Sequence, residues 1–145
     1  MCKSVNKTPR LILSKSMLVS VIQNKVSLNA LTMAYVLASQ GEMEVTAGGI
    51  KFDYFKTFGI IEFTAYKKIE NSQTKDEFEF RPQHHFWEQL LERQFDLSCL
   101  VEVYRYTLKN GECKNVEVFN GISTICFSVV GNEIQLVTGW RGKRN

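Results

Sequence analysis

Residues 84–96 read His-His-Phe-Trp-Glu-Gln-Leu-Leu-Glu-Arg-Gln-Phe-Asp, and this stretch is the most informative segment of the chain. Its apolar residues recur at the spacing of an amphipathic helix: Phe86, Leu90, Leu91 and Phe95. Pro82 stands just before the pattern, a favourable place for a helix to begin. We therefore predict a helix that buries one face and exposes its histidines and arginine.

A second helix and three strands are predicted to follow this helix. Asp96 or Ser98 caps the second helix, and Asn110-Gly111 ends it. Two-residue turn signals then separate three strand segments: Val116–Phe119, Ile122–Val130 and Glu133–Gly139. We expect these strands to form an antiparallel meander with one face packed on the helices.

The N-terminal half also combines helices with strands. One short helix follows Ser14, and Ser27 caps a second helix that ends at Gly41. The apolar period then changes to two, which predicts three strands: Glu42–Ala47, Ile50–Thr57 and Ile60–Ile69. The whole chain is predicted to have an α+β fold, an antiparallel sheet (meander) packed against two or more short helices.

We predict one domain, 1–145, without an internal repeat. Residues 1–13 are expected to be a mobile basic tail, 14–81 the N-terminal helices plus a β-hairpin region, and 82–141 the helix-helix-meander region. Hydrophobic residues make up 44% of the 145 residues, which is typical of a folded domain.

Charge and cysteine usage narrow the functional classes. The net charge is +3, and residues 1–40 hold five basic residues and no acidic one, which is compatible with a nucleic-acid partner. The four cysteines form no C-x-x-C pair, so we expect reduced thiols in a cytoplasmic protein. No apolar run reaches about 18 residues, so no membrane span is expected. We expect neither a metal site nor a cofactor.

The predicted helix places an imidazole near a guanidinium. His85 and Arg93 are eight residues apart and project about 80° from each other, on adjoining faces. A general acid or base beside a cation suits proton transfer near a phosphate. A surface histidine and a solvated arginine on an ordinary amphipathic helix explain the same pattern, and the sequence does not decide whether His84 or His85 faces the site.

The residues His85, Arg93, Gln94, Phe95 and Asp96, with the helix and strands that follow, carry a family resemblance. The C-terminal half resembles the RelE/RegB-like endoribonucleases of the BECR fold, and Thr138, Trp140 and Arg141 match the end of the last strand in such families. The chain departs from that pattern at Gln89, where relatives usually have an arginine, and at Arg105, where RegB-like proteins have a second histidine. The resemblance covers only this half.

The resemblance implies metal-independent cleavage of RNA by attack of its own 2′-OH. We predict catalytic roles for His85, Arg93 and Arg105, and we expect the two guanidinium groups, on helices that pack side by side, to converge on the phosphate. A further set of residues is predicted to bind RNA through stacking or phosphate contacts: His84, Tyr104, Thr138, Trp140, Arg141, Lys143 and Arg144. The expected partner is mRNA, with the ribosome as one setting, for a phage or toxin-like regulator.

Two other functional classes stay open. A non-catalytic interaction protein, such as an inhibitor of a host nuclease or defence protein, tolerates the departures at Gln89 and Arg105. A nucleic-acid-binding regulator would use the basic N-terminal helices. Four residues are also candidates for a second RNA-contacting surface, which a solvated strand face explains equally well: Tyr54, Tyr66, Lys67 and Lys68.

Overall fold

The computed structural model describes residues 8–69 and 76–143 and shows an α+β fold. An N-terminal unit contains β1 (Arg10–Leu13), α1 (Lys15–Ile22), α2 (Leu28–Ser39), β2 (Val45–Ala47), β3 (Ile50–Thr57) and β4 (Ile60–Lys68). A C-terminal unit contains β5 (Glu79–Pro82), α3 (His84–Arg93), a 3₁₀ turn (Leu97–Cys99), α4 (Leu100–Asn110), β6 (Cys113–Phe119), β7 (Ser123–Val130) and β8 (Glu133–Arg141). The predicted fold class is confirmed.

The two units have the same topology. The strand order is β1-β4-β3-β2 in one sheet and β5-β8-β7-β6 in the other. In each sheet the first strand pairs parallel with the last strand, and the remaining pairs are antiparallel. Each sheet is therefore mixed, whereas the sequence predicted a wholly antiparallel sheet. The two helices after the first strand form the crossover connection that parallel pairing requires.

The strand register is also repeated. Ile50 pairs with Lys68, and Ser123 pairs with Arg141, so equivalent residues of the last two strands differ by 73 in number. Both pairs of strands slip at the equivalent position, after Asp53 in the first unit. The shared topology, register and slip identify the chain as two copies of one structural unit.

This duplication corrects the expectation of no internal repeat. Between 50–68 and 123–141, the only identical residue pair is Ile61 and Ile134. A topology requires a pattern of inward and outward positions and suitable turns, and many different residues satisfy that pattern. The repeat is therefore visible in the strand pairing and not in the sequence.

Each unit covers the free edge of the other unit's first strand. The backbone N–H of Leu11 in β1 donates to Oδ1 of Asp96 at 3.0 Å, and the N–H of Phe80 in β5 donates to Oδ1 of Asn29 at 3.0 Å. Uncovered strand edges are open to pairing with other chains. These reciprocal contacts join the units, whose buried apolar residues form one continuous core.

The first strand contradicts part of the predicted mobile tail. Arg10–Leu13 pairs in parallel with β4, and Leu11 is buried. The nearby cations favoured a solvated tail in the sequence. The contact that holds this strand involves Asp96, which is 85 residues from Leu11 and leaves no local signal. The remainder of the predicted tail, 1–7, lies outside the described residues.

Candidate functional site

The site forms where α3 continues beyond a short strand. β5 pairs with only the first four residues of β8, from Glu133 to Leu136. The chain then enters α3, which packs against β8. Phe86 and Leu90 face the core as predicted, whereas Leu91 is 55% exposed, so the buried stripe is narrower than expected. Side chains from α3 and the end of β8 therefore meet at this edge of the sheet.

Four of the residues selected from the sequence line one cavity there. His85, Arg93, Thr138 and Trp140 surround an open space of about 420 Å³. The imidazole and the guanidinium come from opposite ends of α3, and the other two side chains come from alternate positions on β8. The structure thus brings together a titratable group, a permanent cation and an indole at one place, which we call the His85 cavity.

His85 lines the cavity, and His84 does not. The His84 side chain is 88% exposed and that of His85 is 56% exposed. Both imidazoles contact the carboxylate of Glu88: Nε2 of His84 at 3.3 Å and Nδ1 of His85 at 3.7 Å. Glu88 was missed in the sequence, although its positions three and four residues after the histidines are those of helical neighbours.

Arg93 is fixed at one of its nitrogens. Its Nη1 donates to the carbonyl oxygen of Gly139 at 3.1 Å, which satisfies an acceptor at the edge of β8. A guanidinium carries five N–H donors, so this bond leaves others for a ligand. The arrangement orients the arginine at the cavity and keeps it able to hold a phosphate.

Gly139 lets the ring of Phe95, which follows α3, and the backbone of β7 lie close against β8. A Cβ atom at this position would lie 2.9 Å from Cε1 of Phe95 and 2.9 Å from the carbonyl oxygen of Thr124. Both contacts are shorter than side chains tolerate, and the second involves backbone that cannot rotate away. The absence of a side chain at Gly139 is therefore a structural requirement of the site.

We expect Gly139→Ala to destabilise the protein by about 1–3 kcal/mol, the usual cost of overpacking a core. Urea unfolding followed by circular dichroism measures the change. Phe95→Leu removes the ring contact but keeps the Thr124 contact, so Gly139→Ala should cost less stability in the Phe95→Leu background than in the wild type. A Gly139→Ala variant as stable as the wild type would show that the helix is not held this tightly.

Two polar atoms beside the cavity are buried without a hydrogen-bond partner among the described residues. They are Oγ1 of Thr138 and Oε1 of Gln89. Buried polar atoms are usually paired, so each such atom in a native fold calls for a reason. Gln89 is also the position where the RelE/RegB-like pattern has an arginine. These two buried polar atoms therefore have no structural explanation among the described contacts.

Arg105 and Tyr104 lie elsewhere, which corrects two predicted roles. Arg105 pairs with Glu102 at 3.2 Å and lines a groove beside α2, because α4 packs on α2, β6 and β7 and not on β8. The hydroxyl of Tyr104 accepts a hydrogen bond from the N–H of Phe78 at 3.4 Å, and its ring packs against Phe80. The predicted convergence of Arg93 and Arg105 is not observed.

Of the predicted C-terminal cations, Arg141 and Lys143 are not part of the cavity lining. Arg141 ends β8 with an exposed side chain, and Nζ of Lys143 lies 5.9 Å from the ring centre of Phe119. Arg144 lies outside the described residues. The phosphate contacts predicted for these cations stay a prediction.

The described residues, 8–69 and 76–143, give little support for a metal site, a reactive thiol or a membrane span. No three His, Cys, Asp or Glu side chains are placed there to hold a metal ion together. Burial, with a smaller effect of Glu102, raises the pKa of the Cys99 thiol to about 12, so it stays protonated at neutral pH. Within the same part of the chain, no helix is long and apolar enough to cross a bilayer.

Comparison with known proteins returned no match to the chain among family models, curated proteins or solved structures.

Proposed function

We propose that the protein is an endoribonuclease that cleaves RNA without a metal ion, with the His85 cavity as its active site. The observation that carries the proposal is the meeting of His85 and Arg93 in one open cavity beside Trp140. An imidazole titrates near neutral pH and transfers protons, and a guanidinium stabilises the charge that develops on a phosphate. The indole offers a surface on which a base can stack.

The proposed reaction uses the nucleophile that RNA itself carries. His85 accepts the proton of the 2′-OH, and the 2′ oxygen bonds to phosphorus. The bond from phosphorus to the 5′ oxygen then breaks, and the leaving oxygen takes a proton from water. The products are a 2′,3′-cyclic phosphate and a 5′-OH. Arg93 neutralises the negative charge that gathers on the phosphoryl oxygens.

A relation to the RelE/RegB-like endoribonucleases is part of this proposal. The order of helix, helix and three strands over 84–141 agrees with the order that the resemblance implies. The finer proposal is a cytoplasmic regulator of phage or toxin-like character that acts on mRNA. In this scheme the N-terminal unit is a second copy of the same fold without the His85 cavity residues.

We expect Arg93→Lys to lower the cleavage rate about 10–100-fold, because lysine keeps the charge but loses the planar pair of donors. Arg105→Lys is the matched control, since Arg105 lies outside the cavity, and its rate should equal that of the wild type. Initial rates on a fluorescent RNA measure both. Equal loss in the two variants would contradict the placement of the active site.

The direct test is incubation of the purified protein with total RNA in EDTA, followed by mapping of the new RNA ends. Discrete cleavage with cyclic phosphate ends is expected. Binding of RNA without cleavage would replace the proposal with a nucleic-acid-binding regulator. No binding, together with a stoichiometric complex isolated with a host protein, would favour the interaction protein.

A further inference from the structure

The repeated topology gives each residue of the His85 site an equivalent in the N-terminal unit. Arg10 and Glu79 hold equivalent positions beside the last strands, so α1 and α3 begin at equivalent places. His84 at the start of α3 corresponds to Lys15 at the start of α1. On the last strands, Trp140 and Arg141 correspond to Lys67 and Lys68. Because the two helices begin at equivalent places, His85 itself corresponds to Ser16, so this unit has no imidazole there and has a lysine, Lys67, where the indole lies.

A further lysine lies opposite Lys67 on the outer face of the sheet. Lys51 on β3 lies directly opposite Lys67 on β4, and both side chains are exposed. Like charges placed directly opposite each other destabilise a strand pair. Neither ammonium group forms an ion pair with a carboxylate in ranges 8–69 and 76–143. Asp53, on the same face, lies opposite Ala65.

Lys15 is also unfavourably placed for stability. It occupies the first position of α1, whose first turn contains no acidic residue. The amino end of a helix carries a partial positive charge, so a cation there costs stability where an anion would add to it. Two independent features of one unit, a lysine pair and a lysine at a helix start, thus oppose folding.

An exposed aromatic ring shares the strand face with the lysine pair. Phe55 alternates with Lys51 and Asp53 along β3 and is 66% exposed. Four residues of an extended strand cover about 13 Å, so Phe55 and Lys51 lie at separated points on one face. Cations that contact phosphates, with an aromatic ring that stacks on a base, form the usual surface for single-stranded nucleic acid.

We propose that this lysine face, made of Lys51, Lys67 and Phe55, binds the phosphate backbone of single-stranded RNA. The inference deepens the proposed function, because it gives the N-terminal unit the role of holding the substrate while the His85 cavity cleaves it. The phosphate contacts are independent of RNA sequence, since contacts to the backbone position a nucleic acid and do not select bases.

The test is fluorescence anisotropy of a labelled 2′-O-methyl RNA, which cannot be cleaved, over a range of salt concentrations. The variant Lys51→Gln/Lys67→Gln removes two charges from the lysine face. Each lost phosphate contact should reduce the slope of log affinity against log salt by about 0.7, so about 1.4 for the pair. The matched control Lys109→Gln/Lys114→Gln removes two exposed lysines from the C-terminal unit and should leave the slope unchanged.

Equal changes in the two double variants, or none in either, would overturn the inference. So would tighter binding of polyglutamate than of RNA, because the occupant would then be an acidic protein. Cleavage of an all-ribose RNA by the wild-type protein, measured separately from this binding, distinguishes the two proposals. If the wild-type protein never cleaves RNA but the Lys51→Gln/Lys67→Gln variant loses RNA binding, the lysine face is supported and only the proposed function is rejected.

Discussion

Replacing His85 with alanine should lower the rate of RNA cleavage by about 10²–10⁴-fold, the range lost when a general acid or base is removed. The side chain is more than half exposed and contacts only the exposed carboxylate of Glu88, so the free energy of unfolding should change little. Single-turnover rates on a fluorescent RNA, together with urea unfolding of the same preparation, measure the two effects.

His84→Ala is the matched control for this prediction. The same carboxylate contacts both imidazoles, but only His85 lines the cavity. His84→Ala should therefore keep a rate near that of the wild type. An inactive His84 variant beside an active His85 variant would move the role to the neighbouring residue. Full activity in both would reject the active site.

The largest effect on stability is expected from Asp96→Ala. Asp96 is 6% exposed. Its carboxylate accepts hydrogen bonds from the buried N–H groups of Leu11 and Ser98, each at 3.0 Å. Alanine leaves both donors unpaired, and each buried unpaired donor costs about 1–3 kcal/mol, so about 2–6 kcal/mol in total. Urea unfolding measures the loss.

Two further variants keep the Asp96 prediction testable if the alanine variant does not fold. Asp96→Asn retains an oxygen acceptor and loses only the charge that faces Arg10 at 3.6 Å, so it should be much milder. Asp53→Ala removes an exposed carboxylate and should have almost no effect. If Asp96→Asn destabilised as strongly as Asp96→Ala, the ion pair and not the strand-edge contact would join the two units.

Local signals in the sequence were sufficient for most of the elements. Ser27 caps α2 as predicted, because a capping side chain acts within three residues of itself. The three C-terminal strands follow their turn signals for the same reason. Asp96 caps the 3₁₀ turn that precedes α4, whereas it or Ser98 was predicted to cap the helix itself. Strand β1 was missed, and the parallel pairing of β1 and β5 was not predicted, because parallel partners are remote in sequence and leave no local pattern.

The cavity was predictable only in part. His85 and Arg93 lie on one helix, so their proximity follows from helical geometry. Arg105 was placed with them because the sequence does not say against which sheet surface α4 packs. The role of Gly139 could not be inferred either, since it depends on the ring of Phe95, which reaches β8 only in the folded chain.

The central claim is that RNA is cleaved by its own 2′-OH within the His85 cavity. The most direct measurement uses an oligonucleotide with one mapped cleavage position, in which the 2′-OH at that position alone is replaced by hydrogen. We expect the wild-type protein, in EDTA, to leave this position intact while it still cleaves the all-ribose oligonucleotide. Cleavage that persists at the deoxy position would show that water is the nucleophile and would contradict the account.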